Sequence, residues 1–306
     1  MKQLLFVSAL AILSLQVASA QLSYSRNQPT SPAYEGWEPN PDGSFTMVFG
    51  YMNENWEEET DVPVGPDNKF EPGDIDRGQP THFFPRRNRF VFRIQVPKDW
   101  GDKDLVWTLT THGKTIKAYG SLRLDYQLDN MIYTSETGAI GAGTSSPEIR
   151  ANKPPTLEAF GDTVRTVKVG QPLELRAHVT DDGVPKRRPR GAFLERASGT
   201  VKDLREVPPR QVTVGSATGL WVAAYEYRTP EGGHVTISPD QPKAWEDTRA
   251  GANSQWAPLW EPPDPPKDGN WTATATFDKP GTYVLRWHAT DGALFKDQNI
   301  TVNVTP

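Results

Sequence analysis

Lys279-Pro-Gly-Thr-Tyr-Val-Leu-Arg-Trp-His-Ala-Thr-Asp-Gly292 is the most informative stretch of this 306-residue chain. Leu285, Trp287 and Ala289 fall on one side of an extended segment, and Arg286 and His288 fall on the other. That period of two predicts a β-strand, Tyr283–Thr290, with one apolar face and one polar face. Pro280-Gly281 before it and Asp291-Gly292 after it are turn formers.

The same alternation recurs upstream. Leu173, Leu175, Ala177 and Val179 point one way in Gln171–Thr180, and Asp182-Gly183 closes the strand. Further strands are expected at 164–169, 219–228, 234–238, 271–277 and 299–304. Seven short strands with turn signals between them predict a sandwich over residues 153–306. Two long insertions, Val184–Thr218 and Pro239–Asn270, interrupt it.

Toward the N-terminus, strands are expected at Phe45–Tyr51, Arg89–Val96, Leu105–Thr110 and Thr115–Tyr119. The last two flank His112-Gly113 as a hairpin. Residues 53–87 form one long acidic loop, and the Pro-bearing segment 21–41 reads as a mobile leader. Thr137-Gly-Ala-Ile-Gly-Ala-Gly-Thr-Ser-Ser-Pro147 has linker composition. No long 3.6-residue apolar period appears, so the chain is expected to be all-β with two β-sandwich domains. The expected layout is a signal peptide at 1–20, an N-terminal sandwich at 21–135, a linker at 136–152 and a second sandwich at 153–306.

The 279–292 stretch resembles the penultimate strand of polycystic-kidney-disease-type and other immunoglobulin-like modules. The run Val169–Gly183 is similar to their second strand. The resemblance implies an immunoglobulin-like C-terminal domain with long loop insertions and a tyrosine corner at Tyr283, whose hydroxyl would bond nearby backbone. Leu285 stands where disulfide-bearing relatives carry cysteine, so packing alone would hold the two sheets together. The N-terminal half carries no such resemblance.

Met1–Ala20 has the build of a secretory signal: Lys2, an apolar run from Leu4 to Val17, and Ala18-Ser-Ala20 as a cleavage site. No later run is long and apolar enough to span a bilayer, so no membrane span is expected after cleavage. The formal net charge of -5 argues against nucleic acid as a partner. With no cysteine in the chain, thiol catalysis, thiolate metal sites and disulfides are excluded. No nucleophile elbow, P-loop or dinucleotide fingerprint is present.

Four groups of residues invite a functional reading. Asp67, Glu71, Asp74 and Asp76 lie in the acidic loop, and Asp182 and Asp291 lie in turns. Oxygen-rich loops of this kind suit calcium, although a solvated acidic surface and local turn capping are the preferred readings. Trp245, Trp256 and Trp260 crowd the second insertion, where they could stack on sugar rings or simply anchor the loop. Trp56, beside Glu57-Glu58-Glu59, could edge a pocket. Lys186-Arg187-Arg188-Pro189-Arg190 and Arg86-Arg87-Arg89 are basic runs that could pair with the acidic loop. By the same alternation, His178 and His288 should point outward, whereas Trp107, Trp221 and Trp287 should be core.

The resulting expectation is an exported protein, periplasmic or secreted. It would be a non-catalytic structural or interaction module of the bacterial envelope, with an envelope protein or polysaccharide as partner. No cofactor is expected beyond the calcium alternative. The rivals are carbohydrate binding through the insertion tryptophans and polysaccharide hydrolysis by a carboxylate pair in the 53–87 loop.

Overall fold

The computed structural model describes residues 25–137, 145–187, 218–243 and 263–306. The expected signal peptide and the tryptophans Trp245, Trp256 and Trp260 lie outside the described residues. The N-terminal strands are β1 (Thr30–Pro39), β2 (Phe45–Asn53), β3 (Thr60–Asp61), β4 (Asn68–Glu71), β5 (His82–Phe83), β6 (Arg86–Val96), β7 (Leu105–Thr111) and β8 (Lys114–Gly120). Sheet β1-β2-β6 faces sheet β4-β7-β8. An aromatic core lies between them: Phe49 stacks on Phe92 at 5.6 Å, and Phe70 on Trp107 at 5.7 Å.

The segment expected as a leader is instead strand β1, antiparallel to β2 along its whole length. Pro32 obscures it in the sequence, yet a residue without an N–H is tolerated at a sheet edge. A bulge at Tyr34/Gly36 bends the strand. Gly36 has φ +141°, and a Cβ there would stand 2.3 Å from the Tyr126 carbonyl, so glycine alone fits. The β7–β8 hairpin forms as expected, with His112 at φ 48° and Gly113 at φ 72°. Two successive positive φ values make a primed turn that matches strand twist.

The acidic loop is more ordered than its composition suggests. It contains β3, β4 and β5, and buried Asn68 ties it to the core. Asn68 accepts from Trp107 Nε1 at 2.9 Å and donates to the Val62 and Pro80 carbonyls. Beyond β8, a 3₁₀ turn (Leu124–Tyr126) and helix α1 (Asn130–Thr137) lead toward the second sandwich. Within the segment expected as linker, Pro147–Arg150 form a short helix α2, N-capped by Ser146.

The C-terminal strands are β9 (Thr156–Ala159), β10 (Val164–Lys168), β11 (Leu173–Thr180), β12 (Trp221–Arg228), β13 (Val235–Ser238), β14 (Asn270–Phe277), β15 (Gly281–Thr290) and β16 (Phe295–Thr305). Sheet β13-β14-β11-β9 packs on sheet β10-β16-β15-β12, with β10 parallel to β16. This is the immunoglobulin-like strand order, and the described protein is all-β in architecture. Leu175, Ala177, Phe277, Leu285, Trp287 and Val302 fill the space between the sheets. Tyr283 makes the expected corner, its hydroxyl donating to the Lys279 carbonyl at 2.9 Å.

The two sandwiches are docked. Outward-facing residues of β12, β15 and β16 lie on the N-terminal unit, and Tyr227 belongs to the N-terminal core cluster. A second mixed cluster joins Val48, Phe90 and Tyr133 to Leu294 and Phe295.

Candidate functional site

Two regions concentrate the chemistry: the interface between the sandwiches, and the end of the C-terminal sandwich from which both insertions leave.

The interface begins with a short backbone pairing. Thr81 N–H donates to the Tyr227 carbonyl at 3.2 Å, and Thr229 N–H donates to Thr81 Oγ1 at 3.1 Å. A register shift in β12 between Glu226 and Arg228 lets consecutive residues face the N-terminal unit. Tyr227 donates to the Gly78 carbonyl. Arg228 forks onto both Asp76 oxygens, at 3.0 and 2.7 Å, and bonds the Gln79 carbonyl. Arg286, buried over the Tyr227 ring at 3.7 Å, donates to the Val91 carbonyl and to Asn299. Asp297 lies 3.7 Å from Arg286 and 2.7 Å from His288 Nδ1.

His82 is the most constrained ionisable group. It is 2% exposed, with Nδ1 2.7 Å from Asp61 and Nε2 3.0 Å from Glu59. Thr229 Oγ1 donates to the same Asp61 oxygen across the interface. Burial alone would lower the His82 pKa, but its hydrogen bonds to Asp61 and Glu59 outweigh burial and push it up to about 10. Burial opposes the ionised form of Asp61, yet the His82 bond holds its pKa below the usual range. Neighbouring Glu226 is pushed up by burial, against the pull of His82. This site is therefore a charged cluster of the N-terminal unit, clasped from across the interface by the Thr229 hydroxyl.

Beside it lies an open-mouthed cavity of about 300 Å³. Trp221, Tyr225, His288 and Phe295 form its wall on the C-terminal sheet, and Phe84 and Phe90 face them. The outward orientation expected for His288 is what places it here. Trp221 is buried as expected but on the outer side of its sheet, clustered with Ala223 and Tyr225 rather than in the sandwich core. Sequence reading missed Tyr225, Glu226 and Asp297 as site residues. The signal was present in Leu220-Trp-Val-Ala-Ala-Tyr225, an uninterrupted apolar run typical of a strand covered on both faces.

The second region gathers the ends of both insertions. Arg187 donates to the Pro263 carbonyl at 3.1 Å and pairs with Asp264 at 3.3 Å. Gly219 N–H donates to the Asp291 carbonyl at 2.8 Å. Asp291 is fully buried and accepts from Ala293 N–H, Leu294 N–H and Asn152 Nδ2. Burial pushes its pKa up to about 6. Asp182 accepts from the N–H groups of Lys153 and Val184.

The candidate calcium ligands do not assemble. Asp76 is occupied by Arg228, Glu71 lies 3.4 Å from Lys69, and Asp67 and Asp74 are exposed. Asp182 and Asp291 sit at the far insertion end, each bonded to backbone amides. Among the described residues no three His, Asp or Glu side chains converge as a metal site. The residues present do not fit a calcium site of the expected composition.

Trp56 is half-buried, with Arg86 stacked over its ring at 4.0 Å. The second basic run does not reach the acidic loop as a block: Arg87 pairs with Glu35 at 2.7 Å and Arg89 with Glu136 at 3.5 Å.

No protein-family model matches the chain, and no curated protein matches it. Solved structures align with it at low similarity. Domains 4 and 5 of the S-layer protein SbsC align at 12% identity and TM-score 0.21, covering 67% of this chain and 66% of that one. The D00-D0 domain of intimin aligns at 11% identity and TM-score 0.25, covering 91% and 100%. The Yersinia pseudotuberculosis adhesin InvE aligns at 12% identity and TM-score 0.23, covering 91% and 60%. Similarity at this level says nothing of what the chain binds. Strand order and docking define an all-β protein of two sandwiches, the second immunoglobulin-like. No helix among the described residues is long and apolar enough to cross a membrane.

Proposed function

We propose that the chain is an exported, non-catalytic interaction protein of the bacterial envelope, periplasmic or secreted, with a C-terminal module of the polycystic-kidney-disease type. It engages an envelope protein or polysaccharide through the insertion-bearing end of that module. One observation carries this reading: the ends of both insertions meet at Arg187, Pro263 and Asp264, close to the β15–β16 turn. Loops grouped at one end of a rigid sandwich are where such folds present binding surfaces. The acidic loop supports the non-catalytic part, because Glu58, Glu59, Asp61, Glu71 and Asp76 are each engaged by a cationic or histidine partner.

A second reading is carbohydrate binding by Trp245, Trp256 and Trp260, which belong to one of these insertions. The test is cosedimentation of the purified chain with isolated envelopes and with insoluble polysaccharides. Replacing residues 245–261 or 189–216 by short Gly-Ser segments should abolish binding and leave the melting temperature unchanged. Binding that survives both replacements contradicts the reading. Release of reducing sugar ends from any polysaccharide contradicts its non-catalytic part.

A further inference from the structure

We propose that the cavity between the two sandwiches is a separate binding site for one uncharged sugar ring, distinct from the insertion end.

Its walls supply flat apolar faces. The rings of Trp221 and His288 lie 5.6 Å apart, those of His288 and Phe295 5.5 Å apart, and Phe84 meets Tyr225 at 5.4 Å across the interface. Faces of this kind pack against the C–H surface of a pyranose. The volume, about 300 Å³, is at the lower bound for small-molecule pockets and suits a single ring rather than a chain.

Apart from Glu226, the carboxylates and guanidinium groups at its walls are paired within the protein. Asp297 is held by His288 and Arg286, and Arg87 is held by Glu35. A charged ligand would have to compete with these pairs, whereas an uncharged one leaves them intact. Two polar atoms remain for it. Glu226 is one of the lining residues, and its Oε2 is buried with no hydrogen-bond partner among the described residues. A buried carboxyl oxygen of that kind calls for a partner, and a sugar hydroxyl, both donor and acceptor, supplies one in either protonation state. His288 is fixed through Nδ1, leaving Nε2 as a second polar contact. Stacking faces with a few fixed polar groups are what orient a hydroxylated ring.

Saturation-transfer NMR on the full chain tests this, with glucose, galactose and N-acetylglucosamine as probes into the millimolar range. At least one probe should give a saturable signal. His288→Ala should weaken it at least tenfold. Thr137→Trp, which fills the cavity from the end of α1 at a residue in neither sandwich core cluster, should abolish it with an unchanged melting temperature. If all three probes give no signal, the proposal is overturned. It is equally overturned if the signal survives Thr137→Trp. A signal lost only in Trp256→Ala/Trp260→Ala would place the sugar on the insertion instead, and would leave the interaction reading of that end standing.

Discussion

The sheet β10-β16-β15-β12 has one fully covered and one partly covered face, held by different physics. Its inner face buries Leu285, Trp287, Ala289, Ile300 and Val302 against the opposing sheet, with aliphatic and aromatic contact throughout. Around β12 and the adjoining parts of β15 and β16 its outer face is covered as well, with Arg286 buried, His288 and Asp297 partly buried, and three aromatic residues of β12 against the N-terminal unit. Apolar burial is non-directional and makes the fold stable. Hydrogen-bonded charges fix one orientation at a cost in desolvation. The inner face therefore makes the sandwich, and the outer face sets how the two sandwiches sit.

Breaking the inner face should have the largest effect. Trp287→Ala should cost about 3–5 kcal/mol in chemical denaturation, enough to remove much of a typical domain's stability. The equivalent cut on the outer face, Arg286→Ala, should cost about 3 kcal/mol, because it removes the bonds to the Val91 carbonyl and Asn299 and leaves the Asp297 charge to His288 alone. It should also raise proteolytic cleavage between the domains, which Trp287→Ala would do only by global unfolding.

The clasp sharpens the contrast by responding to pH. The folded pKa of His82, about 10, lies above its ordinary value of 6.5. Its contribution is thus complete below about pH 6.5 and is lost as pH rises through about 10. The melting temperature of the parent, minus that of His82→Gln, should shrink across this window. A difference that stays constant would mean the buried imidazole is neutral. On the inner side, Tyr283→Phe removes one corner hydrogen bond and should cost about 1 kcal/mol with no pH dependence below pH 9. Asp76→Ala, which cuts a half-exposed pair, should cost about 0.5 kcal/mol, and less at high salt.

The inner face was legible in the sequence because strict alternation from Tyr283 to Ala289 and from Leu173 to Val179 names one side as core. Tyr283 and the 112–113 turn were legible for the same local reason. Strand β1 was not, since Pro32 and Pro39 mask an edge strand whose pairing is set by β2. The acidic loop was read by its charge, whereas Asn68, a single buried amide, organises it. Docking was the least visible feature: Trp221 reads as buried on either face of its strand, but periodicity does not say which layer covers it. The calcium alternative finds no support in the positions of these acids, because those at 76 and 291 have partners of their own, as the preferred turn-capping reading of Asp291 implies.

The most direct test of a docked, single body is calorimetry of the full chain beside Arg286→Ala. One transition is predicted for the parent, with calorimetric and van't Hoff enthalpies equal, and two for the variant as the sandwiches uncouple. Two resolved transitions in the parent, unmoved by Arg286→Ala, would contradict the account: the outer face would then not be an interface.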